Sequence, residues 1–102
     1  MNLKVYKAVK ERSEGLCELC KAPYTSEHHA FNGNGRRKKC EMVETVFDLC
    51  WSCHEGPKGV HFNRELDLKL KHMATQNLID LGWSREKIID FVGAWYLNDI
   101  GD

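Results

Sequence analysis

The sequence predicts a single α+β domain: a small cysteine-stapled half that carries two short strands, followed by two C-terminal helices packed against it. Three observations carry this reading. Two Cys-x-x-Cys turns, Cys17 to Cys20 and Cys50 to Cys53, frame the first half. Val43, Thr45 and Phe47 alternate with Glu44, Val46 and Asp48, which is the period of a strand. From Leu66 onward the apolar spacing becomes helical. A chain of 102 residues has the size of one domain, and 42% hydrophobic with 29% charged content belongs to a folded protein.

Taken in order, the elements begin with a short amphipathic helix over Val5 to Arg12, where Val5, Ala8 and Val9 share a face. Gly15 then precedes the first cysteine turn, which suits a tight β-hairpin. Ser26 to Gly35 reads as the end of a strand running into a polar, glycine-rich loop. Val43 to Asp48 reads as the second strand, delivering Leu49 and Cys50. Gly56, Pro57 and Gly59 forbid a long helix between His54 and His61. Leu66, Leu70, Met73, Asn77 and Leu81 line one helix face, and Gly82 stops it. Ser84 caps a second helix, Arg85 to about Leu97, whose apolar stripe includes Ile88, Phe91, Val92, Trp95 and Tyr96. Neither proline sits in a linker, so residues 1–102 form one domain, with a cysteine-bearing part over about 9–62 and a helical part over about 63–98.

Charge and composition narrow the function classes. The 15 basic and 15 acidic residues cancel, so the overall balance does not by itself indicate a polyanionic partner. Their distribution is uneven: Arg36, Arg37, Lys38 and Lys39 form one basic run, suited to phosphate contacts or to a solvated loop. No window approaches the roughly 18 apolar residues that span a bilayer, and the N-terminal stretch lacks a secretory pattern, which together point to a cytoplasmic protein without a membrane partner.

In a reducing compartment, paired Cys-x-x-Cys turns read as metal ligands before disulfides. Zinc takes four thiolates in a tetrahedron, and Cys17, Cys20, Cys50 and Cys53 supply them, with 29 residues between the two turns. The fifth cysteine, Cys40, stays outside. Four of the five histidines lie near these turns: His28 and His29 between them, His54 directly after Cys53, and His61 soon after. Closing the cysteines on one ion brings the His28–His29 loop toward His54 and His61, which makes a second metal site reasonable, with one of the adjacent pair as ligand and the other as base. The alternative is that these histidines are loop groups or hydrogen-bond partners of the zinc thiolates. His72, among lysines on a helix, reads as a solvated side chain.

The order Cys-x-x-Cys, His-His, Leu-Cys-x-x-Cys-His, with the lead-in Val9 to Cys17, resembles the HNH (ββα-metal) nucleases of the zinc-knuckle type over about residues 9 to 61. His28-His29-Ala30-Phe31, Gly59-Val60-His61 and the aromatic C-terminal helix resemble small phage HNH proteins, some grouped with recombination-enhancement nucleases. The resemblance implies a structural Zn2+, a catalytic Mg2+, Mn2+ or Ni2+ held by His28, His54 and His61, and His29 as the base that activates water for phosphodiester hydrolysis. It further implies DNA as substrate with little sequence specificity, phosphate contacts from Arg36 to Lys39, and a recombination or packaging protein as a partner. Two departures stand out. The late histidines are farther apart than the family's usual spacing, and Thr45 occupies the place of the asparagine that orients the base, a role open to Thr45 itself or to Asn32 or Asn34.

Two other functions fit the same residues: a zinc module that binds nucleic acid or protein without catalysis, and an adaptor docking through Trp83, Trp95 and Tyr96.

Overall fold

The computed structural model describes residues 2–33 and 35–97, so Asn34 lies outside the described residues. Helix α1, Leu3–Ser13, leads into the first cysteine turn, and strand β1, Thr25–His29, follows. A single helical turn, α2 at Arg36–Lys39, precedes strand β2, Val46–Cys50. Then come α3 at Trp51–His54, the long α4 at Arg64–Asp80, and α5 at Arg85–Val92. The architecture is α+β, built on one antiparallel ribbon in which Thr25 pairs with Cys50, Glu27 with Asp48 and His29 with Val46.

Every residue of β2 is buried. A pleated strand presents alternate residues to opposite sides, so both of its faces need cover. Phe47 and Leu49 join a core with Leu70, Ala74 and Leu78 of α4 and Ile88 and Val92 of α5. The other face carries Val46, Asp48 and Cys50 and meets α1, which folds over the ribbon. Hence the expected apolar-in, polar-out alternation gives way to a strand enclosed on two sides.

Asp48 is fully buried at 0% exposure, and its carboxylate is matched from α1. Lys10 donates to Oδ1 at 2.9 Å, and the Ser13 hydroxyl donates to Oδ2. The same ammonium reaches Thr25 Oγ1 at 3.0 Å and Glu27 at 3.4 Å, so one lysine clasps both strands on the face that the register makes common to them. Burial works against its charge, but the Asp48 hydrogen bond and the nearby carboxylates prevail and hold its pKa above the ordinary lysine value. Glu18, in the first cysteine turn, pairs with Arg12 at 2.6 Å and accepts the Asp48 N–H at 2.8 Å, while its own N–H donates to the Asp48 carbonyl. The cysteine turn thereby covers the edge of β2 that β1 leaves open.

Several boundaries differ from the sequence reading. The first cysteine turn is a bare turn, without strands on either side. Strand β2 begins at Val46, because Met42 to Thr45 form a turn whose Met42 carbonyl accepts from both Thr45 and Val46. In α4 the deepest residues are Leu70, Ala74, Thr75 and Leu78, one position round from the expected face, and Leu81 is 51% exposed. The small Ala74 side chain admits close approach, and Thr75 satisfies its hydroxyl on the Lys71 carbonyl at 2.8 Å. Helix α4 ends as expected at Gly82, with Trp83 N–H on the Leu78 carbonyl and Gly82 N–H on that of Ile79, a Schellman close. Helix α5 stops five residues short of Leu97, because Gly93 turns left-handed at φ 92°. The chain then folds back so that Tyr96 stacks on Phe31 with ring centres 5.8 Å apart. No described helix is long and apolar enough to cross a membrane.

Asp48→Ala strands the Lys10 ammonium and the Ser13 hydroxyl without their shared acceptor. A loss of about 2–4 kcal/mol is expected, read as a lower urea midpoint for the metal-loaded protein.

Candidate functional site

Two donor clusters lie against the ribbon. In the first, the sulfurs of Cys17, Cys20, Cys50 and Cys53 lie within 4.8 Å of one another, with Cys20 and Cys50 at 3.5 Å. The first pair sits on a turn closed by the Lys21 N–H on the Cys17 carbonyl and the Cys17 N–H on that of Ala22, both 2.8 Å. Lys21 adopts φ 68° there, a conformation that side-chain-bearing residues seldom take and that the turn imposes. The second pair is placed by β2, which ends at Cys50, and by α3, which presents Cys53 one turn later.

Four thiols this close cannot all ionise alone. Burial and the neighbouring sulfurs push the Cys53 thiol well above its ordinary value. Burial also opposes ionisation of Cys17, yet N–H groups from Cys50, Cys20 and Leu19 outweigh it and bring that thiol down to about 7. A cluster in which one thiol ionises readily beside other sulfurs is a site that a cation completes by displacing protons. The cluster can bind a metal ion and is compatible with structural zinc. Cys40 lies elsewhere, buried with its sulfur against the Phe91 carbonyl at 3.5 Å.

In the second cluster, His28, His54 and His61 bring their ring nitrogens within 4.8 Å of one another. His28 issues from β1 and is 3% exposed, and its Nε2 is buried with no hydrogen-bond partner among the described residues. An orphaned buried nitrogen facing two more imidazoles fits a ligand position better than a packing position. Burial first, then the proximity of His54 and His61, takes the His28 pKa down to about 3, which keeps its lone pair free. His54, at the end of α3, is fixed through Nδ1 to the Ser26 hydroxyl at 2.9 Å, so its Nε2 is the nitrogen left for a ligand.

The long interval between His54 and His61 closes because the chain doubles back. Val60 N–H reaches the Cys53 carbonyl at 2.7 Å and His61 N–H the His54 carbonyl at 3.4 Å, so the extra residues bulge outward between them. Gly59 is the pivot. A Cβ there would lie 2.8 Å from the His54 carbonyl carbon and oxygen.

His29 faces a different neighbour. Its Nε2 meets Glu41 Oε1 at 2.8 Å, and Glu41 Oε2 accepts the Asn2 N–H at 2.7 Å. Burial disfavours ionised Glu41, but the Asn2 N–H and His29 hold its carboxyl below the ordinary value. The His29 carbonyl accepts from Asn32 Nδ2 at 3.3 Å. The hydroxyl of Thr45 is bonded to Cys40 and Met42, bracketing the turn that carries Glu41, while its carbonyl accepts the Ala30 N–H at 3.0 Å. The carboxylate beside His29 is the group that the sequence reading missed. Its signal was an acidic residue in the turn before β2, which the register lays beside the end of β1.

A cleft of about 430 Å³ gathers His28, His29, His54 and His61 with Glu27, Asn32, Arg37 and Glu55. The basic run is divided. Arg37 enters the cleft wall, Lys38 is exposed, Lys39 sits 5.6 Å from the centre of the Phe91 ring, and Arg36 donates to the Val92 carbonyl at the end of α5. His72 is half-buried and belongs to neither donor cluster. No family model, curated protein or solved structure matches this chain.

Gly59→Ala should push the 55–61 bulge outward and separate His61 from His54. Titration calorimetry with Mn2+ or Ni2+ is expected to show about 10- to 100-fold weaker binding at the histidine cluster while the four-cysteine metal is retained. Cys50→Ser should lose that metal and unfold, read by metal analysis with circular dichroism; a folded, metal-replete variant would contradict the four-cysteine assignment.

Proposed function

We propose that this chain is a metal-dependent DNA endonuclease or nickase of the HNH (ββα-metal) type, built on a structural zinc held by Cys17, Cys20, Cys50 and Cys53. His28, His54 and His61 would hold a second divalent cation, Mg2+, Mn2+ or Ni2+. The observation that carries this reading is the convergence of three imidazole donors beside a fourth histidine already matched to a carboxylate. The succession β1, β2, α3, with ligands on the first strand and on the helix, supports it.

The Glu41 carboxylate only accepts, so Nε2 of His29 carries the hydrogen and Nδ1 the lone pair. In this role Nδ1 takes a proton from water as the oxygen attacks phosphorus; the bond to the leaving oxygen breaks and that oxygen takes a proton from solvent water. The imidazolium so formed is stabilised by Glu41, which Asn2 and the Thr45-braced turn hold in place. Thr45 therefore serves His29 through Glu41, and Asn32 steadies the His29 backbone. The bound cation would supply Lewis-acid stabilisation of the charge developing on the phosphoryl oxygens. Arg37 would contact the phosphate from the cleft wall and Lys38 would add a long-range contribution, neither reading base identity, so this reading carries low sequence specificity.

Supercoiled plasmid incubated with Mg2+, Mn2+ or Ni2+ should be nicked. His29→Ala should lower the rate by about 10²- to 10⁴-fold with zinc content unchanged, and Glu41→Gln should lower it by a smaller factor. Equal nicking by His29→Ala would remove His29 from the base role. Absence of nicking with every cation would favour a zinc module that binds nucleic acid or a protein without cleaving it.

A further inference from the structure

The histidine cleft does not end at His61. Beyond that residue the surface sinks again into a second depression of about 440 Å³, which shares His61 and Asn32 with the first and is bounded farther out by Phe62, Arg64 and Lys71. The two hollows meet at His61 and Asn32, with the other histidines in the first and Phe62 and Arg64 in the second. Phe62 is 72% exposed directly after a candidate ligand. Its place is fixed on both sides: its N–H donates to the Gly59 carbonyl at 2.9 Å, and the next residue, Asn63, caps α4 through the Leu66 N–H at 3.1 Å. An exposed ring on an anchored backbone, beside the histidine donors, offers its face for stacking.

The charges around the two hollows sort themselves. Lys71 is occupied, both oxygens of Asp67 lying 2.6 Å from its ammonium. Arg64 in the second hollow and Arg37 in the first have no hydrogen bond or ion pair among the described residues. An exposed aromatic face with a free guanidinium in each hollow matches a nucleic-acid strand lying across the two, with phosphates on the arginines and a base on the ring.

We propose that the depression beside His61 is a subsite for an unpaired nucleotide of single-stranded or frayed DNA, its base stacked on Phe62 and its phosphate on Arg64, next to the phosphodiester that the histidine cleft would cleave. In a duplex both faces of each base are covered by its neighbours, so the ring has nothing to stack on unless the strand is open. This subsite rests on the nuclease reading for its place beside the scissile bond, but its stacking contact is measurable without cleavage.

The test uses the full chain, zinc-loaded and without a second cation, with a labelled oligonucleotide of one sequence presented as single-stranded DNA, as duplex and as the matching RNA. Fluorescence anisotropy should show single-stranded DNA bound about 10-fold more tightly than duplex. Phe62→Ala should lose about 10- to 100-fold of the single-strand affinity, whereas Phe62→Tyr keeps it. Arg64→Gln should weaken single-strand binding and flatten its salt dependence. Wild-type affinity in Phe62→Ala, an equal loss on duplex, or a preference for RNA would overturn the proposal. The same oligonucleotides incubated with Mn2+ separate the two readings. Phe62-dependent binding without cleavage keeps the subsite and removes the nuclease, whereas cleavage of the single-stranded oligonucleotide that is indifferent to Phe62 keeps the nuclease and removes the subsite.

Discussion

The antiparallel pairing of β1 with β2 is the constraint on which the rest of the molecule depends. Thr25 opposite Cys50 and His29 opposite Val46 fix which residues emerge at each end and on each side of the ribbon. A slip of one residue would exchange the faces, turning His28 away from His54 and carrying Asp48 out of reach of Lys10. A ribbon of two strands is too small to hold its register unaided. It is held from outside, by Lys10 bonded to both strands, by Glu18 along the free edge of β2, and by the core formed on Phe47 and Leu49.

The two donor clusters are mechanically coupled through α3. Cys53 and His54 are consecutive, and the carbonyls of both accept from the returning segment, Val60 to one and His61 to the other. Ordering the sulfurs therefore sets the orientation of two of the three imidazoles. At the end of β1, Glu41 ties His29 to Asn2, the N-cap of α1. Helix α1 thus clamps the strands through Lys10 and also supplies, at Asn2, the donor that fixes the carboxylate beside the candidate base.

Much of this was legible in the residue order. The cysteine spacing announced a four-sulfur cluster, and the position of the histidines relative to it announced that they would meet. Helix α4 was legible through its period and Gly82, and α1 through the placement of Val5 and Val9. What escaped were features set by long-range contact. Glu41 gained a partner only through the turn that Thr45 braces. The basic run looked uniform, yet Arg36 fastens α2 to the end of α5, where a Cβ on Gly93 would fall 2.1 Å from its guanidinium. That contact and the turn at Gly93 shortened α5 and sent Trp95 and Tyr96 back over the core, which a stripe of apolar residues could not foretell. The rotation of the α4 face toward Ala74 likewise reflects how closely the helix can approach its neighbours, not the pattern along it.

The bulge between His54 and His61 bears on how such sites are recognised. Its residues lie between two backbone bonds that close whatever the number of atoms looped out, provided a glycine such as Gly59 lets the chain turn against the His54 carbonyl. Separation along the chain is then a poor ruler for this pair. A search keyed to a fixed gap between the late histidines would pass over the chain, whereas one keyed to the flanks, Cys-His followed after a variable gap by Gly-x-His, would retain it.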